Sequence, residues 1–261
     1  MDRVTRLESF ARLGFAARGL VYVLLGYLAL SATGGAAADA EEVLERIRGG
    51  ALGNVLLALV GFGLASYGIY RLYEAVLDLE GDGGDAKGIA MRIGHGLSGA
   101  AHSLLALYAF RLLTGDGGEG DNSDWAAWLM AQPFGNTLLL LIGVGFLLAA
   151  LSQAAEAVTA AFMRGLDSGA PNWTKPLGRA GYAARAVVFG LIGYLVADAA
   201  LSGKAAQAGG ISDALRALGE KPTLLAVVAA GLILFGLFSF IEARYRRIND
   251  AHVIARLKDA R

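Results

Sequence analysis

The stretch RLGFAARGLVYVLLGYL, residues 12–28, is apolar over most of its length and yet carries two arginines. Nearly the same string returns as RAGYAARAVVFGLIGYL at residues 179–195, and a related one, MRIGHGLSGAAHSLLALY, occupies residues 91–108. An apolar helix of about 20 residues is long enough to cross a hydrocarbon core about 30 Å thick. The sequence therefore predicts membrane-spanning helices that belong to an internal repeat.

The composition indicates an all-α integral membrane protein. Of the 261 residues, 56% are hydrophobic and 18% are charged, whereas soluble domains are about 45–50% apolar and about 25% charged. Apolar blocks predict six spans, at residues 13–32, 51–73, 93–113, 134–159, 180–201 and 223–243. The chain contains no cysteine, which excludes disulfides and thiolate metal sites.

The basic residues predict the orientation of the spans. With six spans, 17 of the 23 Lys and Arg residues fall on the side that holds both termini. Because basic loops stay on the inner side, we expect a multi-pass protein of the bacterial plasma membrane with both termini cytoplasmic. The N-terminal segment lacks a cleavage motif, so the first span is predicted to remain as an uncleaved anchor. We expect the lipid bilayer as its surroundings and no nucleic acid partner.

The even-numbered spans repeat in the same way as the odd-numbered ones. GNVLLALVGFGLASYGIYRLYEA (53–75) aligns with GNTLLLLIGVGFLLAALSQAAEA (135–157) and with PTLLAVVAAGLILFGLFSFIEA (222–243). The alignment superimposes one glycine and one glutamate of each copy, namely Gly63, Gly145 and Gly231, and Glu74, Glu156 and Glu242. Short polar segments with helical spacing lie between the two spans of each copy, at residues 39–47, 123–130 and 212–218.

The repeat unit is therefore a span, a short amphipathic surface helix and a second span. We predict a single membrane domain over 1–261, with repeats at 11–78, 91–159 and 178–248 and a basic cytoplasmic tail at 249–261. Each unit starts and ends on the same side, so the hairpins are parallel copies related by an axis along the membrane normal. A closed pseudo-threefold bundle is the simplest arrangement, and an open row of hairpins has the same sequence signature.

These features resemble a bacterial membrane family of unknown function, DUF1206. The resemblance rests on the paired spans that occur three times, on the R-x-G-[FHY] entry of the first spans, and on the PFGN…G-x-G…EA pattern of a second span. It covers residues 11–248 and implies the architecture, but it brings no activity, cofactor or functional residue. The third copy departs from the pattern, with EKPT in place of FGNT.

Charged side chains at one membrane level form the first candidate site. They are Arg12, Arg92 and Arg179 at the mouths of the first spans, Arg18 and Arg185 deeper in the same helices, and Glu74, Glu156 and Glu242 in the second spans. Ionisable groups within a bilayer usually face the interior and pair, so we expect an outer arginine to contact a glutamate. The layer either locks neighbouring hairpins together or, because cations outnumber carboxylates, forms a gate or an anion site.

Two histidines form the second candidate site. His95 and His102 replace aromatic residues of the sister repeats. Seven residues apart on a helix, they are separated by about 10.5 Å, too far to share a metal ion, and we assign no metal. They either fill aromatic slots or serve as a proton relay or ligand contact. We expect both to point into the bundle beside Arg18 or Arg185.

These patterns favour two functions. A transporter, channel or small-ligand-binding bundle would use the charged layer and the histidines. A non-transporting scaffold or accessory subunit would use the charges only to hold the hairpins together. An enzyme is disfavoured because the sequence has no nucleophile–base pattern and no metalloprotease motif, and no cofactor is predicted.

Overall fold

The computed structural model describes residues 3–31, 48–49, 53–79, 81–115, 122–204, 207–208, 211–219 and 221–247. Within these ranges the long helices are α1 (Arg3–Ser31), α2 (Gly53–Leu77), α3 (Ala86–Thr114), α5 (Gly135–Thr159), α6 (Thr174–Ser202) and α8 (Pro222–Tyr245). The shorter elements are α4 (Asn122–Met130), α7 (Ile211–Gly219) and a 3₁₀ helix, η1 (Ala161–Gly165). The predicted all-α class is confirmed.

The long helices agree with the apolar blocks of the sequence. Among the described residues, four helices are long and apolar enough to cross a membrane: α2, α5, α6 and α8. Two of the predicted surface helices are confirmed as α4 and α7. The predicted helix at 39–47 and the tail at 249–261 lie outside the described residues.

The neighbours of each helix define an arc rather than a row. The long helices contact one another in the order α3, α2, α1, α8, α6, α5, and the contact between α1 and α8 joins the first hairpin to the third. A row of hairpins in chain order would keep these two hairpins apart, so the spatial order of the hairpins differs from their order in the chain. Among the described residues, α3 and α5 share no extensive interface, and the arc is open between them.

The contacts between hairpins use glycines in the same register. In the interface of α1 with α8, a Cβ on Gly19 would lie 2.9 Å from the Gly236 carbonyl oxygen. In the interface of α2 with α3, a Cβ on Gly99 would lie 2.9 Å from the Gly68 carbonyl oxygen. Gly19 and Gly99 are equivalent in the repeat, as are Gly236 and Gly68. Small residues allow this close approach where lipid replaces water and the hydrophobic effect no longer drives helix association.

Within the hairpins, the middle repeat differs from the other two. A Cβ on Gly63 would collide with the methyl group of Ala17, and a Cβ on Gly231 would collide with that of Ala184. The equivalent Gly145 has no atom within 4 Å of such a Cβ. Its partner by register is Leu97, which is 65% exposed. A leucine is too large for the place that an alanine methyl group occupies in the sister hairpins.

A second pair of positions shows the same difference. Gly14 packs against Tyr67, and Gly181 packs against Phe235, each within its own hairpin. At Gly94, the equivalent glycine of α3, an added Cβ would have no atom within 4 Å. The first and third hairpins are therefore closed, and the two long helices of the middle hairpin stand apart.

Substitution of the three superimposed glycines tests this difference. Gly63→Ala and Gly231→Ala should each lower the free energy of unfolding by about 1–3 kcal/mol, because the added methyl group overpacks the interface. Gly145→Ala is the matched control and should be neutral or stabilising by up to about 1 kcal/mol, since alanine is the better helix former. Unfolding of the purified protein in mixed micelles measures all three. Equal losses in the three variants would contradict an open middle hairpin.

Candidate functional site

Arg18 lies at the centre of a buried cluster at one end of the bundle. We call this the charged end; α1, α3 and α6 begin there and α2, α5 and α8 end there. Arg18 donates from Nε to Ser239 Oγ at 3.1 Å and from Nη1 to Tyr67 OH at 2.7 Å. Its Nη2 forms an ion pair with Glu242. Every nitrogen of the guanidinium thus has a partner, which offsets the cost of removing both charges from water.

A second group of charges lies beside the first. Glu74 is 1% exposed and forms an ion pair with Arg71, one turn earlier on α2. Arg246 Nη2 lies 3.8 Å from Glu74 Oε1, and Arg246 Nη1 lies 3.8 Å from Glu242 Oε1. Arg246 also donates to Tyr70 OH at 3.1 Å. It therefore connects the last turns of α2 and α8 electrostatically.

Arg246 has no counterpart in the sequence analysis, because its position depends on a short backbone bridge. The Asp167 N–H donates to the Tyr245 carbonyl at 2.9 Å, and the Arg247 N–H donates to the Gly165 carbonyl at 3.1 Å. These bonds tie the chain that follows α8 to the turn that follows η1. The buried side chain of Arg246 is directed inward as a result. No periodic pattern in the sequence marks such a bridge.

The outer arginines bind helix ends rather than glutamates. Arg92 donates to the carbonyls of residues 75–76 at 2.8 and 2.9 Å. Arg179 donates to the carbonyls of residues 157–158, both at 2.7 Å. The last carbonyls of a helix have no partner within the helix and carry partial negative charge. A guanidinium satisfies them without the burial of a second ionised group.

Arg12 follows the same pattern at the third such junction. It donates to the carbonyl of Arg246, just beyond the end of α8, at 3.3 Å. The expected contact of Arg12, Arg92 or Arg179 with a glutamate of a second span is therefore wrong. Each of these arginines instead joins the start of one hairpin to the end of its neighbour.

The three superimposed glutamates have different partners. Glu74 and Glu242 belong to the buried charge cluster, whereas the Glu156 carboxylate accepts a hydrogen bond from the Phe162 backbone N–H at 2.7 Å. That bond caps the 3₁₀ helix η1 after α5. The middle repeat therefore contributes no carboxylate to the cluster around Arg18.

His95 lies among carboxylates at the charged end. Its Nε2 is 3.1 Å from Asp82 Oδ2, and its Nδ1 is 3.7 Å from Glu74 Oε2. Its partners are thus acidic groups rather than Arg18 or Arg185, the neighbours that we expected. Asp82 lies in the loop between α2 and α3, where the sequence pattern gave no indication of a partner.

His102 points into the bundle, as predicted. Its ring packs edge-to-face against Tyr67 with 4.6 Å between centroids, and Tyr67 in turn binds Arg18. The Nδ1 atom is 2.8 Å from the Ser98 carbonyl oxygen. Because a carbonyl only accepts, Nδ1 carries the hydrogen. His102 therefore fills an aromatic slot next to the charge cluster.

Arg185 differs from Arg18 in having only aromatic partners. Its Cζ lies 4.4 Å from the ring centroid of Phe235, 4.8 Å from that of Phe189 and 5.3 Å from that of Tyr22. Its Nε is buried and makes no hydrogen bond. In the part of the chain that the structure describes, no carboxylate lies within ion-pair distance of Arg185. Arg185 is an interior cation without a matching anion.

The described ranges contain no group of three or more His, Cys, Asp or Glu side chains arranged to hold a metal ion.

Comparison with known proteins agrees with the repeat. A family model described as Domain of Unknown Function (DUF1206) matches residues 13–78, 93–160 and 180–246. The chain belongs to this family. Each DUF1206 segment covers one pair of long helices: α1 with α2, α3 with α5, and α6 with α8. The chain is also similar to "Uncharacterized protein YxxB" of Bacillus subtilis (strain 168), with 36% identity over 93% of this chain and 92% of the relative. No solved structure matches the chain.

The buried pair of this DUF1206 protein can be tested by a double-mutant cycle. Glu242→Gln should destabilise the wild type more than it destabilises Arg18→Ala, with a coupling of about 0.5–3 kcal/mol, because the carboxylate is left without its partner once Arg18 is removed. Unfolding in mixed micelles measures the four proteins. The exposed pair of Arg247 with Asp167, 2.7 Å apart, is the control and should couple by about 1 kcal/mol or less. If the destabilisations of the single variants simply add in the double variants at both pairs, the structural role of Arg18 is contradicted.

Proposed function

We propose that the chain is a six-span protein of the bacterial plasma membrane, with three parallel hairpins around a pseudo-threefold axis and both termini in the cytoplasm. The repeated register of Gly19 with Gly236 and of Gly99 with Gly68 supports equivalent hairpin interfaces. The arginines that bind the preceding helix ends support the same arrangement. The excess of basic residues on the side of the termini supports the orientation.

We further propose that this bundle binds a small anion in its interior, at Arg185. The observation that carries the proposal is that no described carboxylate lies within ion-pair distance of this guanidinium, although Arg18 in the sister repeat pairs with Glu242. Arg185 lies about 16 Å along α6 from its first residue. A basic residue inside a span carries an insertion cost, which reaches about 2.5–3.5 kcal/mol at the helix centre, and such residues usually mark a ligand or ion path.

The aromatic rings around Arg185 offset only part of this cost. A cation over an aromatic ring gains about 0.5–1 kcal/mol when exposed and about 2 kcal/mol or more when desolvated. The same rings leave the hydrogen-bonding edge of the guanidinium unused at Nε. A carboxylate or phosphate would use that edge through charge-assisted hydrogen bonds, which are about twice as strong as neutral ones.

The packing at the charged end favours a binding site over an open channel. Phe235 lies under both Arg18 and Arg185, with 4.8 and 4.4 Å from ring centroid to Cζ. Tyr22 packs edge-to-face on Phe235 at 4.9 Å. These side chains pack together between Arg18 and Arg185, and a ligand that crossed the bundle would require their movement.

A scaffold is the second candidate function. Arg18, Arg71 and Arg246 all have carboxylate partners, and the outer arginines join neighbouring hairpins. Most of the charged layer therefore has a structural task, which is what a non-transporting scaffold or accessory subunit needs. Arg185 is the residue that separates the two candidates.

Anion-dependent stabilisation tests the site at Arg185. Acetate or inorganic phosphate should raise the unfolding temperature of the detergent-purified protein in a saturable way, since a ligand at 100 times its Kd contributes about 2.7 kcal/mol. Arg185→Ala should abolish the effect and Arg185→Lys should retain part of it. Lys175→Ala, at an exposed position near the start of the same helix, is the control. Identical anion responses in all four proteins would favour the scaffold.

Reporter fusions test the topology. A fusion at residue 261 and a fusion at residue 120 should report opposite compartments, because an even number of spans returns the C-terminus to the side of the N-terminus. The fusion at residue 261 should be cytoplasmic. The same compartment for both sites would contradict the six-span topology.

A further inference from the structure

The opening between α3 and α5 is the largest departure from equivalence among the hairpins. Gly94 and Gly145 face open space there, whereas their equivalents in the other hairpins are in contact. Leu104 on α3 and Leu148 on α5 are exposed, whereas the equivalent residues of the other hairpins are buried or half-buried. In a bilayer, such a gap opens toward lipid tails rather than toward water.

Polar groups of the middle repeat lie at the inner side of this opening. Ser98 occupies the register position of Arg18 and Arg185, and Gln153 occupies that of Ser239. The Gln153 Oε1 atom is buried and has no hydrogen-bond partner. Unsatisfied polar groups of this kind are costly inside a membrane. The gap therefore joins an apolar exterior to a polar inner wall.

The order of the helices defines where Arg185 lies relative to this opening. In the arc, α1 and α8 are the pair farthest from the gap, and Arg185 on α6 packs against Tyr22 of α1 and Phe235 of α8. On the other flank, the His102 ring packs against Tyr67, which binds Arg18, and Phe235 lies under both Arg18 and Arg185. His102 and Arg185 thus belong to one contiguous set of interior side chains.

We propose that the opening between α3 and α5 admits a fatty-acid-type anion from the lipid, with its carboxylate at Arg185 and its acyl chain along the exposed faces of α3 and α5. This inference rests on the proposed anion site. From Ser98 to the end of α3 the helix extends about 24 Å, which exceeds the depth of one leaflet of hydrocarbon, about 15 Å. One acyl chain can therefore lie beside the helices over the full length of the acyl chain.

The charge and size of the site favour a carboxylate headgroup. One unmatched guanidinium fits one carboxylate, which binds the planar fork of arginine through two parallel hydrogen bonds. Arg185 lies well inside α6 rather than at its mouth. A phospholipid headgroup is held at the membrane surface by its bulk and hydration, whereas a carboxylate is small enough to follow its chain into the gap.

Electron paramagnetic resonance with 16-doxyl-stearate tests this proposal in phosphatidylcholine nanodiscs. Doxyl-labelled phosphatidylcholine measures the lipid that is immobilised at the protein surface without selection. The immobilised fraction should be roughly threefold larger for stearate. This ratio corresponds to about 0.6 kcal/mol, the average contribution of a hydrogen bond inside a membrane protein. Gly145→Phe, which fills the open space, should reduce the stearate fraction to the phosphatidylcholine level.

A disulfide lock tests the entry route, since the chain has no cysteine of its own. Gly94→Cys with Ala149→Cys joins the positions whose equivalents touch in the closed hairpins, and its oxidation should also remove the excess of immobilised stearate. Gly190→Cys with Ala150→Cys is the control. In that interface of α5 with α6 a Cβ on Gly190 lies 3.9 Å from the Ala150 Cβ, which suits a disulfide, and oxidation there should leave the excess unchanged.

Three results would overturn the inference. Equal fractions of stearate and phosphatidylcholine in the wild type would exclude a selective site. An excess that survives both Gly145→Phe and the lock would exclude entry through this opening. Disulfide-linked dimers of Gly94→Cys alone in the membrane would show that a second copy covers the gap. If Arg185-dependent stabilisation by acetate persists in any of these cases, the proposed anion site stands and only the fatty-acid route fails.

Discussion

The close contact of α1 and α8 at Gly19 and Gly236 is the constraint on which the other interactions depend. The two backbones approach so closely that an added Cβ would lie within 3 Å of a carbonyl oxygen. Between helices in lipid, such packing replaces the hydrophobic effect as the source of association. It brings the first hairpin against the third and places Arg18 of α1 within reach of Ser239 and Glu242 of α8.

The buried charges follow from that geometry. Arg18 reaches three partners only because α2 and α8 both adjoin α1, and Arg246 reaches two glutamates only because the chain after α8 is tied to the turn after η1. The outer arginines serve the same interfaces from the surface by binding the ends of neighbouring helices. Arg185 is the exception, since the same framework surrounds it with rings and, among the described residues, places no carboxylate within ion-pair distance.

Much of this architecture could be predicted from the sequence. Apolar blocks marked the long helices, and the threefold repeat marked the glycine and glutamate positions in register. The partners of the arginines could not be predicted, because a glutamate and a helix end lie within a few ångströms of each other at the charged end. The position of Arg246 could not be predicted, because the short backbone bridge that follows α8 leaves no periodic pattern in the sequence. The open middle hairpin did leave a signal, which is Leu97 at the position of Ala17 and Ala184.

The middle hairpin differs from its two sisters in that its long helices stand apart. Double electron–electron resonance in lipid nanodiscs measures the distance between two spin labels. The labels are placed at exposed, equivalent positions, at the end of the bundle that lies away from the charged end. The label pairs are Tyr27 with Leu59, Leu107 with Leu141, and Tyr194 with Val227. We expect the first and third pairs to give the same distance and the second pair to give a longer one. Three equal distances would contradict the account, because all hairpins would then be closed alike.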